Sequence, residues 1–396
     1  MKKIFILGAS MLQIPAIKKA KEKGLYVYVL DYDSKAMGIP FADEFLCIST
    51  IDKQAVYDAA LKYQPDYIIT STSDMPVQTV SWVNEKLGKN TDISYEGAIC
   101  ATNKAAMRQR MKQCGVPIPE FHIIYSFADF KEVVETMPDK FIVKPSDNAA
   151  SRGVMLVDKT KSTSYEDLYN YCCGYSRKGE ILIEEFMTGP EVSVESYTVE
   201  GVPHIITITD KLLTKAPFFV ELGHTEPSRL PDDIIEEIKS VTISAICAIG
   251  MMNGPNHTEL KVTPEGVKLV EIAARLGGDF ITSRLVPLST GVDMIECSFS
   301  TLLGEHVHYI PSINQGSAIR FIQGEEGVIS AIEGVEKVEN MPGVVEVKLY
   351  KKIGEQIQKP KNSSDRVGHI IAVGINADEA AKLSEGALEG IKVIVN

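Results

Sequence analysis

The chain has 396 residues, 44% hydrophobic and 24% charged, enough to bury a large core and too many for one ordinary domain. With 41 Lys and Arg against 53 Asp and Glu, its formal net charge is −12. That balance excludes a protein whose main task is gripping nucleic acid or an anionic membrane, since both reward an excess of basic residues. Any anionic ligand must therefore meet a local cluster of positive groups.

The start, Ile4-Phe5-Ile6-Leu7, a turn at Gly8 and an amphipathic stretch to about Lys23, reads as strand then helix. Tyr26 to Leu30 and Ile68-Ile69-Thr70 continue the rhythm, which predicts a parallel, doubly wound sheet over the first hundred residues. Gly8-Ala9-Ser10 lacks the G-x-G-x-x-G pattern, which argues against a dinucleotide enzyme. Asp31, Asp33, Ser73 and Asp74 lie just past strand ends, as ligand contacts or as turn formers and helix caps. A helix follows from Asn103 to about Cys114, and a second α/β segment runs to Glu185. Beyond Phe186 the pattern turns β-rich, with a long helix near Asp232 to Ile249 and a closing helix at Ala377 to Gly390. Seven Cys residues without C-x-x-C spacing read as reduced thiols, and no hydrophobic run approaches the roughly 20 residues of a membrane span. A cytoplasmic protein is the expectation.

Three stretches carry chemistry. His257-Thr258-Glu259-Leu260-Lys261-Val262, a turn at Thr263 to Gly266, and Val267 to Arg275 read as a β-hairpin. If Glu259 and Glu271 face one side, they repel unless a cation sits between them, and magnesium is the natural candidate. Pairing Val262 with Val267 would place Glu259 opposite Val270, so the reading requires an odd loop or a bulge. The second stretch, Phe141-Ile142-Val143-Lys144-Pro145 followed by small residues to Gly153, suits phosphate: a strand-end Lys supplies charge and small side chains expose backbone N–H groups. The third, Ile181 to Ser193, joins two strands by a tight connection whose backbone could pair with an adenine edge, while Glu191 could accept from a ribose.

In order, Asn103-Lys104, Val143-Lys144-Pro145, Glu184-Glu185-Phe186-Met187 with Glu191, Glu259, and Glu271 to Arg275 resemble the ATP-grasp family over essentially the whole chain. The resemblance implies an α/β ATP-grasp fold. Its parts would be a doubly wound pre-ATP-grasp domain at 1–102, a two-lobed ATP-binding region at 103–309 with a lid at about 120–187, and a small α+β lobe at 310–396. It implies ATP with Mg²⁺, for which Mn²⁺ could substitute. Lys104, Lys144, Ser151 and Gly153 would serve the phosphates, Glu185 and Met187 would meet the adenine through their backbone, Glu191 would hold the ribose, and Glu184 would also belong to the nucleotide site. Glu259 and Glu271 would ligate the metal. Lys144 and Arg275 would be catalytic, with Arg275 countering charge on the transferred group.

Ala273 stands where many relatives carry Asn at the second metal position, so that contact must come from water or another side chain. The phosphate loop lacks the glycine run of biotin carboxylases, which counts against biotin carboxylation. Glu271 to Asp279 most resembles the L-amino-acid ligase and carboxylate–amine ligase branch. That branch implies small-molecule carboxylate and amine substrates joined through an acyl phosphate, with Glu221, His224, Arg275, Gly277, Gly278 and Arg320 as substrate candidates. The alternatives are a formyl-transferring or carboxylating enzyme of purine type and a nucleotide-binding regulator without catalysis. A homodimer is the base-rate expectation.

Overall fold

A computed structural model describes residues 1–148, 153–161, 164–214, 220–360 and 362–396. The N-terminal part alternates β1 (Lys3–Leu7), α1 (Ile14–Glu22), β2 (Tyr26–Asp31), β3 (Glu44–Cys47), α2 (Lys53–Tyr63), β4 (Tyr67–Ile69), α3 (Met75–Lys86) and α4 (Tyr95–Cys100). Its strands form a parallel sheet in the order β3-β2-β1-β4. The apolar run Ile4 to Leu7 is fully buried, as a strand covered on both faces requires. Asp31, at the end of β2, accepts the Ala9 N–H at 2.9 Å, and Gln13 donates to Ser73 at 2.7 Å, so these two strand-end residues hold turns together.

Helix α5 (Lys104–Gln113) starts where Asn103 accepts the Ala106 N–H at 2.8 Å, which satisfies one free donor of the first turn. A second sheet follows, built from β5 (Phe121–Ile124), α6 (Phe127–Thr136), β6 (Lys140–Pro145), β7 (Met155–Asp158), α7 (Tyr165–Tyr175) and β8 (Ile181–Glu185). It is antiparallel in the order β5-β8-β6-β7, and Phe130, Phe141, Val143, Leu168 and Ile183 pack in its own core.

The central structure is an eight-stranded sheet. Its first five strands are β9 (Glu191–Val199), β10 (Val202–Leu213), β11 (Glu221–Glu226), β12 (Gly254–Thr263) and β13 (Gly266–Ala273), with α8 (Asp232–Ile249) between β11 and β12. After α9 (Val286–Thr290) and α10 (Met294–Leu303), the chain adds β14 (Gly316–Ile322), β15 (Gly327–Glu333), α11 (Val335–Glu339), β16 (Val344–Leu349), β17 (Gln356–Ile357), β18 (Gly368–Gly374), α12 (Ala377–Glu389) and β19 (Lys392–Val395). The sheet order is β13-β12-β9-β10-β11-β14-β18-β16, while β17-β15-β19 form a small separate sheet. Val192, Val194, Ile208, Leu260 and Leu269 point to one side and pack against Ile238, Val241, Ala245 and Ile246 of α8. Each fully buried aliphatic side chain there contributes about 1.5–3 kcal/mol. Strand alternation then forces the intervening polar residues onto the other side. Among the described residues, no helix is long and apolar enough to cross a membrane.

Candidate active site

The polar side of the large sheet is a field of opposed charges. Register sets Lys261 beside Glu191, Lys211 beside His224, and Glu259 between Ser193 and Glu271. The Lys211 ammonium lies 2.7 Å from Glu191 Oε1, 3.0 Å from Glu259 Oε1 and 3.9 Å from Glu221 Oε1, with only 3% of its side chain exposed. Lys261 reaches Glu191 Oε2 at 3.3 Å. Burial works against charge on Glu259, but Lys211 and His257 outweigh it and hold the carboxyl well below the usual range.

The β12–β13 hairpin turns at Pro264-Glu265, and Val262 does pair with Val267, as far as Leu260 with Leu269. The ladder then shifts: Val270 is the extra residue of a bulge, and Glu259 comes opposite Glu271. The bulge, one of the two expected devices, thus brings both carboxylates to one face. Glu271 Oε1 is 2.8 Å from Lys104 Nζ, which also donates to the Asn148 carbonyl at 2.9 Å. Among the described residues no group of three or more His, Cys, Asp or Glu side chains is arranged to hold a metal ion. Magnesium typically takes one or two carboxylates and completes its shell with water and substrate phosphates. Glu259 and Glu271 therefore fit an ion carried by a polyphosphate, not one held in an all-protein cage.

Lys144 is buried and 2.6 Å from Glu184 Oε2, while Arg108, completely enclosed, donates from Nε to Glu184 Oε1 at 2.7 Å and from its terminal nitrogen to the Val270 carbonyl at 2.8 Å. Burial opposes the Glu184 charge, yet the two cations hold its carboxyl at about 2. Burial lowers the Lys144 ammonium, helped by the like charges of Arg108 and Lys104 and opposed by Glu184. The Glu185 carboxylate accepts from Lys268 at 3.0 Å and from the Glu120 N–H at 3.2 Å, while the Glu185 N–H donates to the Glu120 carbonyl. Met187 lies half-buried in the β8–β9 connection. Gly189 in that connection has φ +121°, and a Cβ there would stand 1.9 Å from the Val262 carbonyl oxygen, so the close passage over the hairpin demands glycine. Gly153 closes the far end of the phosphate-loop candidate beside Pro145 and Tyr175, and Ser151 lies outside the described residues.

His257 Nδ1 meets Glu195 Oε1 at 2.5 Å; burial pulls the imidazole down, but Glu195 and Glu259 raise it to about 9. Gly277 backs directly onto this pair, since a Cβ would meet both carboxylate oxygens of Glu195 and His257 Nδ1 within 2.8 Å. Gly278 has open space where its Cβ would be. Arg275 donates to Asp74 Oδ1 at 2.5 Å, tying the hairpin's exit to the start of α3. Buried Arg366 grips both Asp279 oxygens at 2.8 Å and reaches Glu221 Oε2 at 3.3 Å, and His224 Nε2 lies 3.4 Å from Asp279. Arg320 is not gathered with these groups: its guanidinium is spent on the His224 and Ile319 carbonyls, Thr225 and, at 2.8 Å, Glu385 of α12.

Four participants escaped the sequence reading. Lys211 carried a usable signal, since Thr207, Thr209 and Lys211 alternate with buried Ile206 and Ile208. Glu195 carried a similar signal, as the last residue of the alternation Glu191-Val192-Ser193-Val194-Glu195. Arg108 and Arg366 had no such signal, because their partners lie 76 and 87 residues away. A separate cavity of about 660 Å³, lined by Ile208, Leu230, Ile235, Ser289 and Ile313 among others, opens near α8 and is lined by none of Lys211, Glu195, Arg108 and Arg366.

Comparison with known proteins bears on this arrangement. Residues 137–283 match the ATP-grasp domain and residues 320–396 the L-amino acid ligase C-terminal domain 2. The uncharacterized protein y4rH of Sinorhizobium fredii is 29% identical over 73% of this chain and 60% of its own length, so the match spans under two thirds of that relative. The L-arginine-specific L-amino acid ligase of Bacillus subtilis is 23% identical over 77% of this chain and 74% of its own. The crystal structure of an L-amino acid ligase from Bacillus licheniformis shares the fold over 100% of this chain and 99% of that one, with a TM-score of 0.83 at 21% identity. The chain thus carries an ATP-grasp domain at residues 137–283 and an L-amino acid ligase C-terminal domain at residues 320–396, and over most of its length it resembles the L-amino acid ligases.

Proposed function

We propose that the protein is an ATP-dependent carboxylate–amine ligase that uses Mg²⁺ or Mn²⁺ and joins two small molecules, amino acids among them, in the cytoplasm. The observation that carries this reading is the facing pair Glu259 and Glu271, flanked by Lys104 and Lys211 on a polar sheet face. In this reading residues 1–102, 103–309 and 310–396 act as substrate-side, nucleotide and closing units, and the active form is a homodimer.

Lys104 and Lys144 bind the nucleotide phosphates with the 146–153 loop, Ser151 and Gly153 included. Glu184 keeps Lys144 in place; the backbone of Glu185 to Met187 faces adenine and Glu191 faces ribose. Glu259 and Glu271 hold the metal, which when bound neutralises phosphate charge. A substrate carboxylate oxygen attacks the γ-phosphorus, the bond to the bridging oxygen breaks, and ADP leaves. An amine nitrogen then attacks the acyl carbon, phosphate departs, and the nitrogen loses a proton. Arg275 stabilises the transferred group, while Glu221, His224, Gly277 and Gly278 border the acceptor. Positioning and charge neutralisation carry such chemistry, which agrees with a site rich in Lys, Arg and carboxylates. Ala273 pairs with His257 in register, so an imidazole, not an amide, borders Glu259 here.

The test is ADP and phosphate release against pools of amino acids, formate and bicarbonate. The ligase reading expects release that needs both an amine and a carboxylate, with an amide product. Formate-dependent release refutes it, and nucleotide binding without turnover in any pool favours the regulator.

A further inference from the structure

Lys211 is not a surface lysine free to swing away. It is almost wholly enclosed, and three glutamates surround its ammonium group. Lys104 is similarly fixed, between Glu271 and the Asn148 carbonyl. The two lysines approach the hairpin from opposite sides, Lys104 from the first turn of α5 and Lys211 from β10 across β9. Each of the facing carboxylates thus already has a cation of its own.

We propose that Lys211 and Lys104 plug the metal position, so that the protein takes up a divalent cation only together with a nucleotide polyphosphate. A hydrated cation arriving alone would have to shed water and break two ion pairs whose ammonium ends are largely buried, and it would gain only two carboxylates. A polyphosphate changes that balance. Its oxygens give both ammonium groups new partners and supply the ligands that the hairpin lacks. Lys211 is placed for such an exchange, because it can release Glu259 while it keeps Glu191 at 2.7 Å. Lys261, the second cation on Glu191, keeps that carboxylate neutralised as Lys211 shifts toward phosphate. The inference rests on the nucleotide and metal reading above.

The test uses Mn²⁺ as probe, with protein-bound Mn²⁺ followed by electron paramagnetic resonance and water-proton relaxation, with and without a non-hydrolysable ATP analogue. Full-length wild type, Lys211→Met, Glu259→Gln and the double variant are compared. Wild type should show saturable Mn²⁺ only with the analogue. Lys211→Met should bind Mn²⁺ without the analogue at least about tenfold more tightly than wild type, and adding Glu259→Gln should abolish that gain. Equal Mn²⁺ affinity of wild type and Lys211→Met without analogue, lost in Glu259→Gln, overturns the plug and leaves the metal reading standing. Analogue-dependent Mn²⁺ uptake by Glu259→Gln as strong as in wild type overturns both. Should Lys211→Met fail to fold, Lys211→Gln replaces it, and tight analogue-free Mn²⁺ binding by wild type alone overturns the plug.

Discussion

Replacing Glu184 with Gln would leave Arg108 and Lys144 enclosed without a counter-charge. The Glu184 carboxyl falls from an ordinary 4.5 to about 2 in the fold. At about 1.4 kcal/mol per pH unit this is roughly 3 kcal/mol, in line with the roughly 3–5 kcal/mol lost when one partner of a buried ion pair is removed. Because several lobes need not unfold together, the loss is best read locally, by amide hydrogen exchange at Phe141 to Lys144 in β6 and Leu182 to Ile183 in β8. Glu184→Gln should exchange about a hundredfold faster there at neutral pH. Acid should act on wild type in the same place. A carboxyl lowered by folding stabilises fully above its unfolded value and progressively less below it, so protection should hold down to pH 4.5 and fade toward about 2. Replacing the triad together, Arg108→Met, Lys144→Met and Glu184→Leu, should recover most of the protection, since apolar substitutes remove the burial cost along with the attraction. An acceleration below roughly fivefold in Glu184→Gln would show that the two cations are not paired as described.

Glu226 is fully enclosed, its carboxylate accepts from the Thr209 and Ser289 hydroxyls, and burial raises its carboxyl to about 8. Its stabilising, protonated form is complete below 4.5 and lost as pH rises toward 8, so melting temperature should fall over that range in wild type and less in Glu226→Gln. Glu259→Gln and Glu271→Gln should each lower nucleotide-dependent turnover by about a hundredfold or more with unchanged circular dichroism, and a chelator should abolish wild-type turnover reversibly. Gly277→Ala forces a methyl against Glu195 and His257 and should cost about 1–3 kcal/mol, visible as a lower melting temperature and a shifted His257 titration by NMR.

Local chemistry announced its elements well. The helix starting at Asn103, the long helix near Asp232 to Ile249 and the turn at Thr263 to Gly266 each depend on residues close in sequence, and each appears where expected. The meeting of Glu259 and Glu271 was legible only as a condition, because Val270 is an ordinary strand residue and nothing in its chemistry marks a bulge. Lys211 and Arg366 became meaningful through sheet order, which places β10 beside β9 and β18 beside β14 across long stretches of chain. Arg320 shows the opposite failure. It is expected among the substrate candidates, yet strand alternation sends Phe321 beneath Arg366 and turns Arg320 toward α12.

The pairing of β11 with β14 joins Gly223 to Arg320 and Glu226 to Ser317, so one hydrogen-bonded sheet runs uninterrupted past residue 310. A shortened chain ending there would bare the backbone of His224 and Glu226 as an open edge, prone to recruit another strand. Exchange of the last lobe with that of a relative must therefore preserve strand register as well as sequence length, since a one-residue slip would turn Phe321 and Arg320 to each other's sides and unseat Arg366 from Asp279. Chimeras designed to alter substrate preference would do better to cut within α10 or the 304–315 connection and carry β14, β18 and β16 as one piece.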